Sequence, residues 1–176
     1  DLNGDGVIDD NDKYAVGHGL APRLTYGFSL GAEWNGFDFS CLFQGNAGLQ
    51  VYWQDKFYMG YINYGDVINK EIAEGAWREG RTNATYPRLL TGLNTLNAQP
   101  SDFWVQNKSY LRLKNVQIGY KIPKKLLQKL DISQLRLYTS LENMLTFTSY
   151  KGIDPEISGT TYPTMKQITV GVNVVF

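Results

Sequence analysis

The stretch that decides the fold is Ile168-Thr169-Val170-Gly171-Val172-Asn173-Val174-Val175-Phe176. Every second residue from Ile168 to Phe176 is apolar, and the residues between them are small or polar apart from Val175. This alternation predicts a β-strand with one apolar and one wet face. Soluble domains avoid an exposed apolar edge strand because it recruits other chains, whereas a transmembrane barrel needs such a strand to close. We interpret the stretch as the sealing strand of an outer-membrane barrel.

The composition of the 176 residues fits an all-β protein. Hydrophobic residues make up 43% and aromatic residues 14%, including 12 Tyr, yet the mean hydropathy is −0.32. No run of eighteen apolar residues occurs, which excludes a transmembrane helix. The 17 basic and 17 acidic residues balance, so nothing indicates a nucleic-acid binder. Cys41, the single cysteine, can form no intrachain disulfide, and we interpret it as a small buried or lipid-facing residue.

Four earlier segments alternate in the same way, at 24–33, 37–44, 109–122 and 135–146. Asn35-Gly36 separates the first two segments and is the strongest short signal for a hairpin. The alternation of the third segment changes phase near Lys114 and Asn115, which predicts a β-bulge. Together with the terminal stretch, these segments predict five antiparallel strands.

The connections between these strands differ in length. Asn35-Gly36 is a tight turn, and 123–134 is a short connector that begins as a helix after Pro123. When Phe176 is placed at the periplasmic end, both short connections lie on the periplasmic side. The long connections then all lie outside, which is the asymmetry expected of bacterial barrels.

The predicted organisation is therefore an extracellular loop at 1–23 followed by barrel strands over 24–176. Within the latter, 45–107 and 147–165 are predicted extracellular loops, and a helix is predicted from Gly65 to Trp77 with Asp66 as its N-cap. The chain starts at Asp1, without Met, and we expect it to be the C-terminal piece of a longer protein.

Residues 1–12 follow the pattern of a twelve-residue calcium loop. The oxygen donors would come from Asp1, Asn3, Asp5, the carbonyl of Val7, Asp9 and Asp12. Alternate positions of a tight loop aim inward together, and Gly6 occupies the sharp turn. Asp12 replaces the usual Glu, whose longer side chain reaches the ion bidentately. The pattern predicts a structural Ca²⁺ site, and a solvated acidic turn is the alternative.

No catalytic constellation is present, so the sequence predicts that the protein is not an enzyme. His18, the only histidine, lies between two glycines and is expected in a loop. Asp154 and Glu156 flank Pro155, which is typical of a turn rather than of a pair of glycosidase carboxylates. Three tryptophans of the long loop, Trp53, Trp77 and Trp104, are candidates for stacking on sugar rings. Loop packing or contact with a partner protein is the alternative role for them.

Several stretches taken together resemble the C-terminus of SusC/RagA-type TonB-dependent outer-membrane receptors. They are residues 1–9, Pro22-Arg23-Leu24-Thr25-Tyr26-Gly27-Phe28, Phe37-Asp38-Phe39-Ser40 with Phe43-Gln44-Gly45, Ser109-Tyr110-Leu111-Arg112-Leu113-Lys114-Asn115-Val116, Ile122-Pro123-Lys124-Lys125-Leu126, Tyr150-Lys151-Gly152-Ile153-Asp154-Pro155-Glu156 and the terminal Phe176. Their order and spacing cover nearly the whole chain. No single stretch would suffice for the identification.

The resemblance implies a barrel of about 22 strands, of which this chain would be the last five. It also implies a plug domain and a TonB contact region upstream, both absent from this chain, and a SusD-like lipoprotein lid as partner. Such receptors import oligosaccharides or peptides across the bacterial outer membrane. Thr169, Gly171, Val174 and Phe176 match the family's assembly signal, which the barrel-assembly machinery reads.

A rival interpretation is a secreted, soluble β-sandwich stabilised by calcium, such as an adhesion or carbohydrate-binding module. It explains the strand alternation and the acidic loop, but not the apolar terminus or the unequal connections. A dockerin-like interaction module fits less well, because only one such loop is present.

Overall fold

The computed structural model describes residues 1–17, 19, 21–52, 61–62, 68–91, 100–128, 131–158 and 161–176. Its strands are β1 (Leu24–Trp34), β2 (Phe37–Ala47), β3 (Gln50–Tyr52), β4 (Tyr61–Ile62), β5 (Leu90–Thr91), β6 (Val105–Asn107), β7 (Tyr110–Lys121), β8 (Gln134–Thr148) and β9 (Gln167–Val175). The α-helices are α1 (Lys70–Gly75) and α2 (Lys124–Leu127), and 3-10 turns span Asp10–Asp12 and Asp102–Trp104. Within these ranges no helix is long and apolar enough to cross a membrane.

Two compact units make up the chain. The first comprises Asp1–Gly19 and Val51–Gln106, and the second comprises Leu20–Gln50 and Asn107–Phe176. The second unit contains a five-stranded sheet in the order β1-β2-β7-β8-β9, with every neighbouring pair antiparallel. The five strands predicted from the alternation are therefore confirmed as an antiparallel sheet.

Two of these strands continue further than the alternation predicted. β2 ends at Ala47 rather than Gln44, because Ala47 still pairs with Leu24 of β1. β8 ends at Thr148 rather than Thr146, because Thr148 pairs with the first residue of β7. Backbone pairing thus carries both strands past the last residues whose side chains alternate clearly.

The turn and the bulge lie where the sequence predicted them. Asn35 and Gly36 have positive φ angles of 48° and 88°, the conformation that two-residue hairpins favour and that Asn-Gly adopts readily. In the pairing of β2 with β7, Asn115 and Leu113 face consecutive residues of β2, so Lys114 is left over. This extra residue is the predicted bulge, and it restores the apolar alternation to one face of β7.

The helix in the first unit is shorter than predicted. α1 begins at Lys70, and its N-cap is Asn69, whose side chain accepts a hydrogen bond from the backbone N–H of Glu71 at 2.9 Å. The helix ends before Trp77 because Ala76 is already extended and bridges to Tyr86. The predicted start at Gly65 and the predicted N-cap Asp66 lie outside the described residues.

Candidate functional site

The register of the sheet places most of the apolar residues of all five strands on one face. One row across the sheet reads Leu30, Cys41, Val116, Leu141 and Ile168. The next row reads Ala32, Phe39, Ile118, Thr139 and Val170. Because side chains alternate between faces along each strand, this register makes a continuous apolar surface. We call it the apolar face.

Much of the apolar face is open. Leu30 is 58% exposed and Val170 is 76% exposed, and Trp34, Phe37 and Phe147 are exposed near the strand ends. Soluble monomers rarely expose a contiguous apolar patch of this kind, so the face requires an apolar neighbour. Cys41 is an exception, because it is buried between larger side chains of the same face, in agreement with the sequence interpretation.

The opposite face is polar and internally hydrogen-bonded, although it also carries Leu42 and Val175. Arg136 of β8 reaches across β7 and donates from Nε to Asp38 Oδ1 of β2 at 2.9 Å, and from Nη2 to Asp38 Oδ2 and to Gln117. The intervening residue of β7 is Gly119, where a Cβ atom would overlap both members of the pair. We call this surface the polar face.

Tyr138 and Gly171 are paired on the polar face, and the Tyr138 ring lies over the glycine. A Cβ atom at Gly171 would overlap the far end of this ring, so any larger residue there would require the ring to move. The Arg136 guanidinium carbon lies 5.1 Å from the centre of the Tyr138 ring. Of the predicted assembly-signal residues, Thr169 and Gly171 therefore lie on the polar face, and Val174 and Phe176 lie at alternate positions on the apolar side.

A buried charge cluster occupies the other end of the polar face. The side chain of Arg112 in β7 is 4% exposed. Its Nη2 lies 2.8 Å from Asp154 Oδ1, its Nη1 lies 2.7 Å from Glu156 Oε2, and its Nε donates to Thr146 Oγ1 at 2.8 Å. Lys114 also donates to Glu156 Oε2, at 2.7 Å. Paired charges and satisfied donors make such burial tolerable.

The carboxylate of Asp154 is held by backbone groups as well. Its Oδ1 accepts the N–H of Glu156 at 2.9 Å, and its Oδ2 accepts the N–H of Thr164 at 3.0 Å. Burial raises the pKa of Asp154, but the hydrogen bonds from Glu156, Arg112 and Thr164 outweigh it and lower the pKa below 3.8. Lys108 donates to the carbonyl of Ile157, and burial lowers the pKa of this lysine although Asp154 opposes that shift.

Sequence reasoning missed the partner of Asp154 and Glu156. The turn at Asp154-Pro155-Glu156 is present. Its two carboxylates also form ion pairs with the buried side chain of Arg112. Arg112 stands alone between Leu111 and Leu113, so the alternation could have marked it as a charge on the polar face. The carboxylates follow 42 and 44 residues later, and no local pattern connects residues that far apart.

In the acidic loop at the start of the chain, carboxylates accept hydrogen bonds from backbone N–H groups of the same loop. The carboxylate of Asp1 accepts the N–H groups of Gly4 at 2.6 Å and Gly6 at 2.8 Å. That of Asp12 accepts the N–H groups of Leu2 and Asp9, both at 2.7 Å. The hydrogen bonds from Asp9 and Leu2 lower the pKa of Asp12.

The predicted calcium donors also include Asn3, Asp5, Val7 and Asp9. The N–H of Val7 binds Asp5 Oδ1 at 2.8 Å, and the side chain of Asp9 caps the 3-10 turn. Across the described part of the chain, no three His, Cys, Asp or Glu side chains are grouped as a metal site requires. Most carboxylates are instead engaged by N–H groups of the loop, and Ca²⁺ binding stays a prediction.

The three candidate tryptophans have different environments. Trp53 lies outside the described residues. Trp77 is 45% exposed, and the guanidinium of Arg88 lies 5.8 Å from its ring centre. Trp104 is 3% exposed and meets Phe103 edge-on at 4.8 Å between ring centres. The described part of the chain therefore offers Trp77, rather than Trp104, as a ring open to a ligand.

No family model matches the chain. Individual curated sequences, however, match it along its whole length. TonB-dependent receptor P3 of Formosa agariphila is 31% identical over 192 residues, and TonB-dependent receptor SusC of Bacteroides thetaiotaomicron is 27% identical over 189 residues. Both alignments include 100% of this chain, but 18% and 17% of the two relatives. The chain thus spans less than a fifth of the length of these curated relatives.

Solved structures give the same result for the fold. A structure of the RagAB peptide transporter matches 96% of this chain with a TM-score of 0.75 and 28% sequence identity. A structure of the RagAB peptide importer in the open-open state matches 89% with a TM-score of 0.68 and 31% identity. The matched parts are 19% and 17% of those chains. Their antiparallel β-structure agrees with the sheet described above.

Proposed function

The chain belongs to the SusC/RagA-type TonB-dependent receptors, and from this premise we propose that it is part of an outer-membrane transporter that imports oligosaccharides or peptides. Its relatives are receptors and transporters rather than enzymes. The observation that supports the proposal best is the open apolar face opposite a hydrogen-bonded polar face.

This arrangement is the one that a membrane barrel needs. In a bilayer the apolar face contacts the acyl chains of the lipid, so its side chains stay out of water. The backbone N–H and C=O groups of the strands are hydrogen-bonded to one another across the sheet. The polar face then lines the interior, where the Asp38–Arg136 pair and the Arg112 cluster find a polar environment. A soluble β-sandwich would require a second sheet to cover the apolar face.

The size of the barrel and the role of β9 extend the proposal. Five strands are too few to enclose a barrel, for which about eight is the usual minimum. We assign this chain to the C-terminal strands of a barrel of about 22 strands, in which β9 pairs with the first strand of the same receptor. Thr169, Gly171, Val174 and Phe176 would present the signal that the barrel-assembly machinery reads.

The partners follow from the same assignment. A SusD-like lipoprotein would cover the extracellular side, and TonB would act through regions outside this chain. Segments 1–23, 45–107 and 147–165 would face outward, where Trp77 is available to stack on a sugar ring. A Ca²⁺ ion in the acidic loop would stiffen the segment before β1.

Membrane fractionation of the native protein, combined with heat-modifiability and intact mass, tests the proposal. We expect a heat-modifiable outer-membrane species several times larger than the 19.9 kDa of this chain. A species of 19.9 kDa that stays in solution without detergent would refute it. The calcium-stabilised sandwich would then be the better interpretation.

A further inference from the structure

The segment after β8 folds back onto the sheet. Residues 149–158, which we call the strap, contact β7 through charged side chains on the polar face. Asp154 and Glu156 are the strap residues involved, and Arg112 and Lys114 are their partners. The strap begins directly after Thr148, which is still paired with Tyr110. The fold-back therefore starts at the end of the strand.

Asp154 fixes both legs of the connection between β8 and β9. One carboxylate oxygen binds Arg112 and the backbone N–H of Glu156, and the other binds the N–H of Thr164 on the return leg. On that leg the side-chain amide of Asn143 in β8 donates to the carbonyl of Met165 at 3.0 Å. The connection is thus tied to β7 and to β8.

A second set of contacts holds the end of the strap. Glu156 Oε2 is shared by Arg112 and Lys114, and Lys108 donates to the carbonyl of Ile157. The side chains of Arg112 and Asp154 are each 4% exposed. Removing one member of a buried pair leaves the other charge unpaired, so opening the strap is unfavourable.

We propose that Arg112 is a positioning residue that keeps the strap permanently on the polar face, as a fixed wall of the transport path rather than a lid. The proposed function is needed only to identify the polar face with that path. The lowered pKa of Asp154 supports a strap that stays in place, because the carboxylate remains ionised and paired at neutral and mildly acidic pH.

Hydrogen exchange on the full-length receptor at pH 7 tests whether the strap is held. We expect the amides of Glu156 and Thr164 to exchange about a hundredfold or more slowly than in an unfolded chain. Asp154→Asn and Arg112→Lys should each speed their exchange about tenfold, because the amide lacks the charge and lysine cannot donate to two carboxylates in a fixed fork. Glu33→Gln alters an exposed carboxylate and should leave both amides unchanged.

Two further measurements separate positioning from general stability. With Cys41→Ala removing the native thiol, a nitroxide label at an introduced Ser158→Cys should be immobile in the parent and mobile in the Asp154→Asn variant. In the parent, the same label should be relaxed more strongly by a water-soluble nickel complex than by dissolved oxygen, because the polar face meets water rather than lipid. Glu156→Gln is the milder substitution if Asp154→Asn prevents folding.

The outcomes are distinct. Fast exchange of both amides in the parent receptor would show a mobile lid and overturn the proposal. Relaxation of the label by oxygen rather than by the nickel complex would show that the strap does not line the path and would also overturn it. If the receptor is missing from the outer membrane, the proposed function fails, whereas exchange and label mobility still report on the strap.

Discussion

The two faces of the five-stranded sheet are made from the same strands but stabilised in different ways. On the apolar face neighbouring side chains of a row share only their apolar nature, as in Leu30, Cys41 and Val116. On the polar face the residues are individually matched, as Arg136 is with Asp38 and Tyr138 is with Gly171. The apolar face therefore depends on its surroundings, and the polar face depends on specific neighbours.

This contrast predicts that the two faces tolerate substitution differently. An apolar residue in contact with lipid can be exchanged for another apolar residue at little cost, but not for a charge. The polar face should tolerate a charged residue at a position that is open to solvent. It should not tolerate the removal of an ion-pair partner, or a larger side chain where a neighbouring ring fills the space.

The largest effect is expected from a charge on the apolar face. Leu30→Arg near the middle of β1 should destabilise the folded receptor in lipid by about 2–4 kcal/mol. Its neighbour Ser29 points to the polar face, so Ser29→Arg should cost much less. The measurement is guanidinium unfolding of both variants in phospholipid vesicles. Equal losses would mean that the two faces do not differ in environment.

Filling the space over Gly171 should give the next largest effect. A methyl group there overlaps the Tyr138 ring, and such overpacking costs about 1–3 kcal/mol. Gly31→Ala is the matched control on the same face, because its Cβ would meet its nearest atom, the carbonyl oxygen of Phe39, at 3.6 Å. Refolding without assembly proteins separates packing from recognition of the signal. A Gly171→Ala receptor as stable as the Gly31→Ala receptor would contradict the close fit.

Breaking the Asp38–Arg136 pair should cost somewhat less. Both side chains are partly screened by solvent, so Asp38→Asn should lower the free energy of unfolding by roughly 1–2 kcal/mol. The control is the exposed pair of Lys121 with Glu33, separated by 3.7 Å, for which Glu33→Gln should change little. A double-mutant cycle with Arg136→Gln gives the coupling, and a coupling near zero would show that the pair is incidental.

The contrast between the faces also explains how much the sequence could predict. The apolar face repeats one rule along every strand, so alternation alone predicted five strands, each with one apolar side, and placed the bulge near Lys114. Asn35-Gly36 set the register of the first hairpin because the turn type is local. These features depend on neighbours within a few residues.

The polar face was harder to predict because its contacts join distant parts of the chain. Arg136 meets a residue 98 positions earlier, and Arg112 meets one 42 positions later. The helix predicted from Gly65 to Trp77 was too long for a related reason. Its periodic pattern continues past Gly75, but the pairing of Ala76 with Tyr86 ends the helix.

The smallest effect within the neutral range is expected from pH. Because the pKa of Asp154 is lower in the folded protein than 3.8, this carboxylate stabilises the fold above that pH, and the contribution is lost as the pH falls through the folded value. Protection of the Thr164 amide should therefore be constant from pH 8 to about pH 5 and should weaken only below about pH 4. Apolar contacts have no titrating group, so the amides in the middle of β1 should keep their protection over the same range once intrinsic rates are corrected. If the Thr164 amide lost protection near neutral pH while the β1 amides kept theirs, the strap would be held by something other than an ionised Asp154.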